Sequence, residues 1–161
     1  MSQDEEEKDI TQDVYQMLIK VFLLLDDSDR HFFTNYNLSP RQFWALQHLD
    51  EQQGRSMVDL SRALLTDKSN VTAIVDRLEQ ASLARRTPDA HDRRVFLITL
   101  TPEGSRLRDF VRKAHEARIH ELLGVVNDSH LSTLLEYLAT ISTNLESYLE
   151  HADNRSLALP R

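Results

Sequence analysis

Apolar residues recur at three- and four-residue intervals along most of this chain, and each interruption of that rhythm marks an element boundary. Ile10, Val14, Met17, Val21 and Leu24 predict a long helix over residues 10–33, which Tyr36 and Asn37 end. Ser39 and Pro40 open the next helix, with a hydroxyl to cap it and proline at the first helical position, and Phe43, Leu46 and Leu49 supply its core face. Past a polar loop at 51–55, Ser56 starts a short helix to residue 64 whose expected buried residues are Val58, Leu60, Ala63 and Leu64. Val71, Ile74, Val75 and Leu78 then give one buried stripe at i, i+3, i+4, i+7, with Asp67 placed to cap the helix by accepting from its free N–H groups.

The rhythm next shortens. Residues 83–86 and 95–100 are strand-like, the second setting Val95, Leu97 and Thr99 against Phe96, Ile98 and Leu100. Between them TPDAHDRR turns at Pro88, Asp89 and Ala90 and projects Arg93 and Arg94 at a hairpin tip. Helical spacing returns after Thr101-Pro102-Glu103 and runs through Leu107, Val111, Ile119, Leu122, Leu123 and Val126, with Gly104 softening the first turn. Asn127-Asp128-Ser129 breaks it. A last helix from residue 129 carries Leu131, Leu134, Leu135, Leu138, Ile141, Leu145 and Tyr148.

A helix followed by two short strands with a basic tip suggests a winged helix. The polar face of the helix after Asp67 holds Lys68, Ser69, Asn70, Thr72 and Arg77, short hydrogen-bonding groups and long cations suited to base edges and phosphates. Asp76 is in range to pair with Arg85 or Arg86 and tie that helix to the wing, the alternative being independent solvated charges.

Four strings, LSPRQFWAL, DKSNVTAIVDRLE, LARRTPDAHDRR and ITLTPEG, resemble the MarR (multiple antibiotic resistance regulator) family of bacterial transcription regulators. The likeness is close over about residues 38–107 and extends to the flanking helices by pattern. It implies a mainly α fold forming a single domain over 1–161: a winged helix-turn-helix DNA-binding lobe at 38–101, long N- and C-terminal dimerisation helices at 10–35 and 102–150, and flexible tails at 1–9 and 153–161. The resemblance further implies a homodimer on double-stranded DNA with an inverted-repeat site. It carries minor-groove insertion to Arg94, leaving Asp92 and Arg93 to brace the tip or touch backbone, with Asp76 and Arg86 as wing-bracing residues. Three positions depart from the family pattern: Leu65 and Ser82 stand where relatives have glycine, and Ala73 where many have arginine. The first two imply either turns with less left-handed backbone or a strain cost at each.

Composition changes the picture in two respects. The net charge of −7 argues against a nucleic-acid partner, yet residues 54–113 hold 12 Lys or Arg against 8 Asp or Glu, so the excess acid lies outside the proposed reading lobe. The chain has no cysteine, which excludes a disulfide framework, a thiolate metal site and the peroxide-sensing cysteine used by some relatives. The acidic start MSQDEEEKD does not read as a secretory signal, and the longest apolar run, residues 21–25, is too short to span a bilayer, so a soluble cytoplasmic protein is expected.

No catalytic constellation is present: the chain lacks HExxH, a Gly-rich phosphate loop and GxSxG, and neither enzyme activity nor a cofactor is expected. Glu116 and His120 share a helix face, but the five-residue step from His115 to His120 separates the imidazoles, so these histidines are expected to face solvent and no metal site is assigned. His91 in the wing is expected to face DNA or solvent. The aromatic cluster Phe32, Phe33, Tyr36, Phe43 and Trp44 has two readings: ordinary packing at a helical elbow, or a pocket lined by His31, Phe32, Tyr36, Arg41 and Trp44, with His48 nearby, for a phenol or aromatic acid. The leading function is a homodimeric repressor released by such a ligand. The alternatives are a metal-responsive regulator of the same fold and a winged-helix protein-interaction module without DNA affinity.

Overall fold

The computed structural model describes residues 9–89, 92 and 95–156, with the backbone alone for 150 and 152–156. Ala90, His91, Arg93, Arg94 and most of the two expected tails lie outside the described residues. The chain forms two compact units, Met1–Lys113 and Ala114–Arg161.

The first unit begins with α1 (Ile10–Thr34), which is capped by Asp9: its carboxylate accepts from the Thr11 N–H at 3.0 Å. Then follow α2 (Pro40–Gln47), β1 (Arg55–Ser56), α3 (Met57–Ala63), α4 (Lys68–Gln80), β2 (Ala84–Pro88), β3 (Phe96–Leu100) and the start of α5 (Pro102–Leu123). The capping of α2 is reciprocal: Ser39 Oγ accepts from the Gln42 N–H at 3.2 Å, and the Gln42 side chain accepts from the Ser39 N–H at 2.8 Å. The three strands lie antiparallel in the order β1-β3-β2, with Arg55 and Arg86 on either side of Ile98. β1 falls in the stretch read from sequence as polar loop and first turn; two residues cannot display an alternation, and only pairing with β3 defines them as strand.

Phe33 of α1 stacks on Phe43 of α2 at 4.4 Å, and around them Leu46, Leu60, Val71, Val75, Leu78, Ile98 and Leu100 are fully buried. All four stripe residues of α4 lie in this core. In α3 the expectation holds fully only at Leu60: Ala63 and Leu64 are half-buried, and Val58 is 45% exposed while Met57 packs against the core instead. A seven-residue helix buries a narrow face, and Leu60 occupies it.

Asp67 has the extended backbone of an N-cap but its carboxylate makes no capping hydrogen bond, contrary to expectation. Of the two open alternatives at the glycine-like positions, the structure takes the left-handed one: Leu65 has φ 47° and Ser82 φ 59°. Each carries the strain that an L side chain incurs there. Gly104 does more than soften a turn. It is buried against the segment before β2, and a Cβ built on it would sit 1.9 Å from the Leu83 carbonyl oxygen. Thr101 joins the same corner, its Oγ1 donating to the Ser82 carbonyl at 2.7 Å and accepting from the Gly104 N–H at 2.9 Å.

The long stripe of α1 is not core within the chain: Ile10, Val14, Met17, Val21 and Leu24 are all exposed, and Phe33 near its end is the one α1 residue that is buried. The second unit contains the end of α5, which stops at Leu123 short of Val126, and α6 (Asp128–Ser156), whose helix continues past residue 153. Asn127 caps α6, accepting from the His130 N–H at 3.0 Å. Leu134, Leu135, Leu138, Ile141, Leu145 and Tyr148 are exposed along it.

Candidate nucleic-acid interface

Because α4 spends its apolar stripe on the core, its other face is open, and Lys68, Ser69, Asn70, Thr72, Ala73 and Arg77 are all exposed on it. Neither Lys68 nor Arg77 has an ion-pair partner among the described residues, so both charges are available to phosphates. Two of the polar groups are already oriented. The Thr72 hydroxyl donates to the Lys68 carbonyl at 2.9 Å, which leaves its oxygen as an acceptor toward solvent. Asn70 Nδ2 donates to Thr66 Oγ1 at 3.1 Å and approaches the Asp67 carboxylate at 3.5 Å, which steers its amide from the preceding turn.

α4 is joined to the wing strand through one guanidinium. Arg86 on β2 donates to Asp76 Oδ1 at 2.7 Å and also pairs with Glu79, whose other oxygen accepts from the Arg86 backbone N–H at 2.8 Å. Of the two arginines considered for Asp76, Arg86 is thus the partner, whereas Arg85 turns to Thr99 Oγ1 at 3.3 Å. Glu79 was missed from sequence because its role depends on an outward N–H of the sheet's edge strand. At the base of the wing, Asp89 Oδ1 accepts from the Asp92 N–H at 3.0 Å, and the Asp92 carbonyl accepts from the Val95 N–H at 2.9 Å. Asp89, unremarked except as part of a turn, organises this segment together with Asp92. Arg93 and Arg94 fall outside the described residues.

The proposed ligand pocket is divided by the structure. Arg41 and Trp44 line a recess of about 240 Å³ with His48, Ala63, Leu64, Leu65 and Thr66. His31, Phe32 and Tyr36 are not part of that recess. His31 is exposed and its ring hydrogen-bonds the Asp27 carbonyl at 2.8 Å, while Tyr36 packs on Phe32 at 5.2 Å and edge-on to Phe110 at 6.0 Å. His48 is held below its ordinary value, first by burial and second by the nearby Arg55 charge. Of the two histidines expected to face solvent on α5, His120 is exposed but His115 is buried, one helical turn beyond Val111 on the same face. Among the described residues no group of His, Asp or Glu is arranged to hold a metal ion.

A helix whose apolar edge is locked into a core shared with α1, α2, α3 and the strands, whose polar edge is open, and whose register is braced against a two-stranded wing defines a winged helix-turn-helix protein. Residues 36–95 match the MarR family. The HTH-type transcriptional regulator PecS of Dickeya dadantii is 32% identical over 141 residues, 83% of this chain and 85% of that protein. Among solved structures, the MarR family transcriptional regulator AbsC from Streptomyces coelicolor is 25% identical with a TM-score of 0.78, matching 87% of this chain and 97% of its own. The transcriptional repressor CouR, bound to a 23-mer DNA duplex, is 29% identical with a TM-score of 0.71 over 84% of this chain and 96% of its own. The chain belongs to the MarR family, and it is a DNA-binding transcriptional regulator rather than an enzyme. No helix of the described residues is long and apolar enough to cross a membrane.

Proposed function

We propose that two copies of this chain form a cytoplasmic homodimeric repressor that grips an inverted-repeat operator and releases it when a small aromatic ligand binds. The observation that carries the dimer is the long unspent apolar face of α1 and α6, with Val21, Leu24, Leu134, Leu138, Ile141 and Leu145 exposed in the single chain. Patches of that extent on a water-facing helix mark a protein interface, and each fully buried leucine or isoleucine contributes roughly 1.5–3 kcal/mol before ordering costs. A two-fold dimer sets its α4 helices in successive major grooves about 34–36 Å apart, and the site it reads is then an inverted repeat. Lys68, Ser69, Asn70, Thr72 and Arg77 face bases and phosphates, Arg94 enters the adjacent minor groove, and Asp92 and Arg93 brace the tip of the wing or touch the DNA backbone. The repressor reading draws on the likeness to CouR, described as a repressor bound to a duplex.

Sedimentation and fluorescence anisotropy test this together. The expected result is a dimer at micromolar concentration that prefers an inverted repeat from its own promoter region over random duplex. A folded monomer removes the interface; equal affinity for both duplexes removes sequence-specific regulation.

A further inference from the structure

On the open face of α4, Ala73 alone offers a side chain of carbon only, and it is exposed. Its methyl group lines a recess of about 210 Å³ that runs between α4 and the start of α2. Beneath it, the buried Ile74 gives the recess an aliphatic floor. On its flanks stand Asn70, Arg77 and, from α2, Arg41, whose guanidinium, like that of Arg77, has no ion-pair partner among the described residues. Ser39 and Gln42 also border it, but each is committed to capping the other's backbone. The family pattern often has arginine at this position. A side chain of that length would fill the space, whereas alanine leaves an apolar notch bounded by donors.

The major groove presents one apolar group, the C5-methyl of thymine, and an alanine methyl is among the side-chain groups that meet it. Methylated cytosine carries the same C5-methyl, so the atoms around the notch decide between the two bases. Thymine has the acceptor O4 beside its methyl, whereas cytosine has an amino group that donates. A guanidinium offers donors only, so Arg41 and Arg77 suit thymine. Asn70 and Ala73 are three residues apart and share a helix face, about 4.5 Å apart along the axis, close to one base-pair step of about 3.4 Å. We infer that Ala73 is a specificity-determining residue: with Ile74 it receives the C5-methyl of one thymine in each half-site, on the base pair beside the adenine that Asn70 meets, while Arg41 and Arg77 supply donors at the O4 edge. This rests on the proposed docking of α4 in the major groove and names a base that its open face selects.

The test alters the DNA first, so that it does not depend on how a variant folds. Deoxyuridine, which lacks only the methyl group, replaces the operator thymines one symmetric pair at a time, and full-length protein is titrated by anisotropy. One pair is expected to respond, with affinity falling about fourfold for one substituted half-site and roughly tenfold for both. That pair is expected next to the position whose preference Asn70→Ala relaxes. Ala73→Gly is expected to bind thymine and uracil operators alike. Because glycine loosens a helix interior, Ala73→Ser is measured beside it, with the same loss of preference expected. At the responsive position, 5-methylcytosine paired with guanine is expected to bind more weakly than thymine. Uniform tolerance of deoxyuridine overturns the inference, as does a responsive thymine more than two base pairs from the Asn70 position or one that still responds in both Ala73 variants. Equal binding of 5-methylcytosine and thymine overturns the assignment of thymine and of the two arginines. If Asn70→Ala and Arg77→Ala both bind the operator as wild type does, the docking of α4 itself fails and the inference with it; sensitivity to those two variants without a response to deoxyuridine defeats the inference alone.

Discussion

Glu79 on α4 accepts both the backbone N–H of Arg86, at 2.8 Å, and the Arg86 guanidinium, so one carboxylate satisfies the edge of the wing sheet and the charge that leaves it. Asp76 takes only the guanidinium, and its side chain is 47% exposed against 30% for Glu79. Losing Glu79 strands a partly buried backbone donor, whereas losing Asp76 removes half of a solvent-screened pair. Glu79→Ala is therefore expected to cost roughly 1–2 kcal/mol in urea unfolding and Asp76→Ala less than about 1 kcal/mol. Arg86→Lys, which keeps the charge but not the two-pronged geometry, is expected to resemble Arg86→Met more than wild type. Equal costs for the two carboxylates would contradict this division of roles.

A second prediction sets two small-residue positions against each other, because they have opposite needs. Ser82 is exposed at φ 59° and its side chain makes no hydrogen bond among the described residues, so Ser82→Gly is expected to relieve backbone strain and stabilise by about 1 kcal/mol. Gly104 needs no unusual φ but has no room: the Leu83 backbone occupies the space of a Cβ. Gly104→Ala must separate α5 from the segment before β2 and is expected to destabilise by roughly 1–3 kcal/mol or more. Thermal melts that order the variants the other way would show that packing, not backbone conformation, governs the Ser82 turn.

Much of this contrast was legible in the chain and some was not, for physical reasons. The stripe of α4 and the cap at Ser39 are local, set by side chains within a turn or two of one another, and the structure reproduces them. The left-handed turns were visible as substitutions in a family pattern, although the pattern could not choose between strain and a changed turn. The burial of His115 and the exposure of Val58 depend on which helix face meets another element, which spacing alone does not fix. Glu79 and β1 are tertiary features: one answers a backbone donor seven residues on, the other exists only by pairing with β3. For the ligand recess the sequence brought Arg41, Trp44 and His48 to notice because they are near one another in the chain, but nothing local announced residues 63–66 opposite them.

The third prediction follows from His48. Its folded-state value lies below the ordinary 6.5, through burial and then through Arg55. As pH falls, the unfolded chain therefore takes up the proton before the folded one, so this contribution to stability is complete above about 6.5 and is lost on descending toward the folded value. Urea midpoints are expected to decline in wild type as the pH falls below the ordinary histidine value of 6.5, and to decline less in His48→Gln. Asp50, held down by the Gln53 and Gln52 backbone N–H groups, and Asp109, held down by Arg108, act with the same sign below the ordinary carboxylate value of 3.8. The histidine step is thus separable from the acid limb. An identical slope in His48→Gln over the upper window would assign it elsewhere.

The final prediction separates grip from reading on α4. Lys68 sits at the first helical position, exposed and without an ion-pair partner among the described residues, where a lysine meets phosphate as a point charge and carries no base information. Each phosphate neutralised releases counterions, so Lys68→Ala is expected to weaken matched and mismatched duplexes alike and to reduce the slope of log affinity against log salt by about 1. Asn70 is different. Its amide, steered by Thr66, can bridge two atoms of an adenine edge in the major groove, a contact worth roughly 1–3 kcal/mol of discrimination. Asn70→Ala is therefore expected to narrow the gap between the operator and its single-base variants at one position of each half-site, with the salt slope unchanged. Anisotropy titrations over a salt series with a panel of substituted operators measure both quantities on the same samples. A Lys68→Ala variant that relaxes sequence preference, or an Asn70→Ala variant that loses affinity uniformly with a shallower salt slope, would exchange the two roles and place the phosphate contact one residue pair further into the helix.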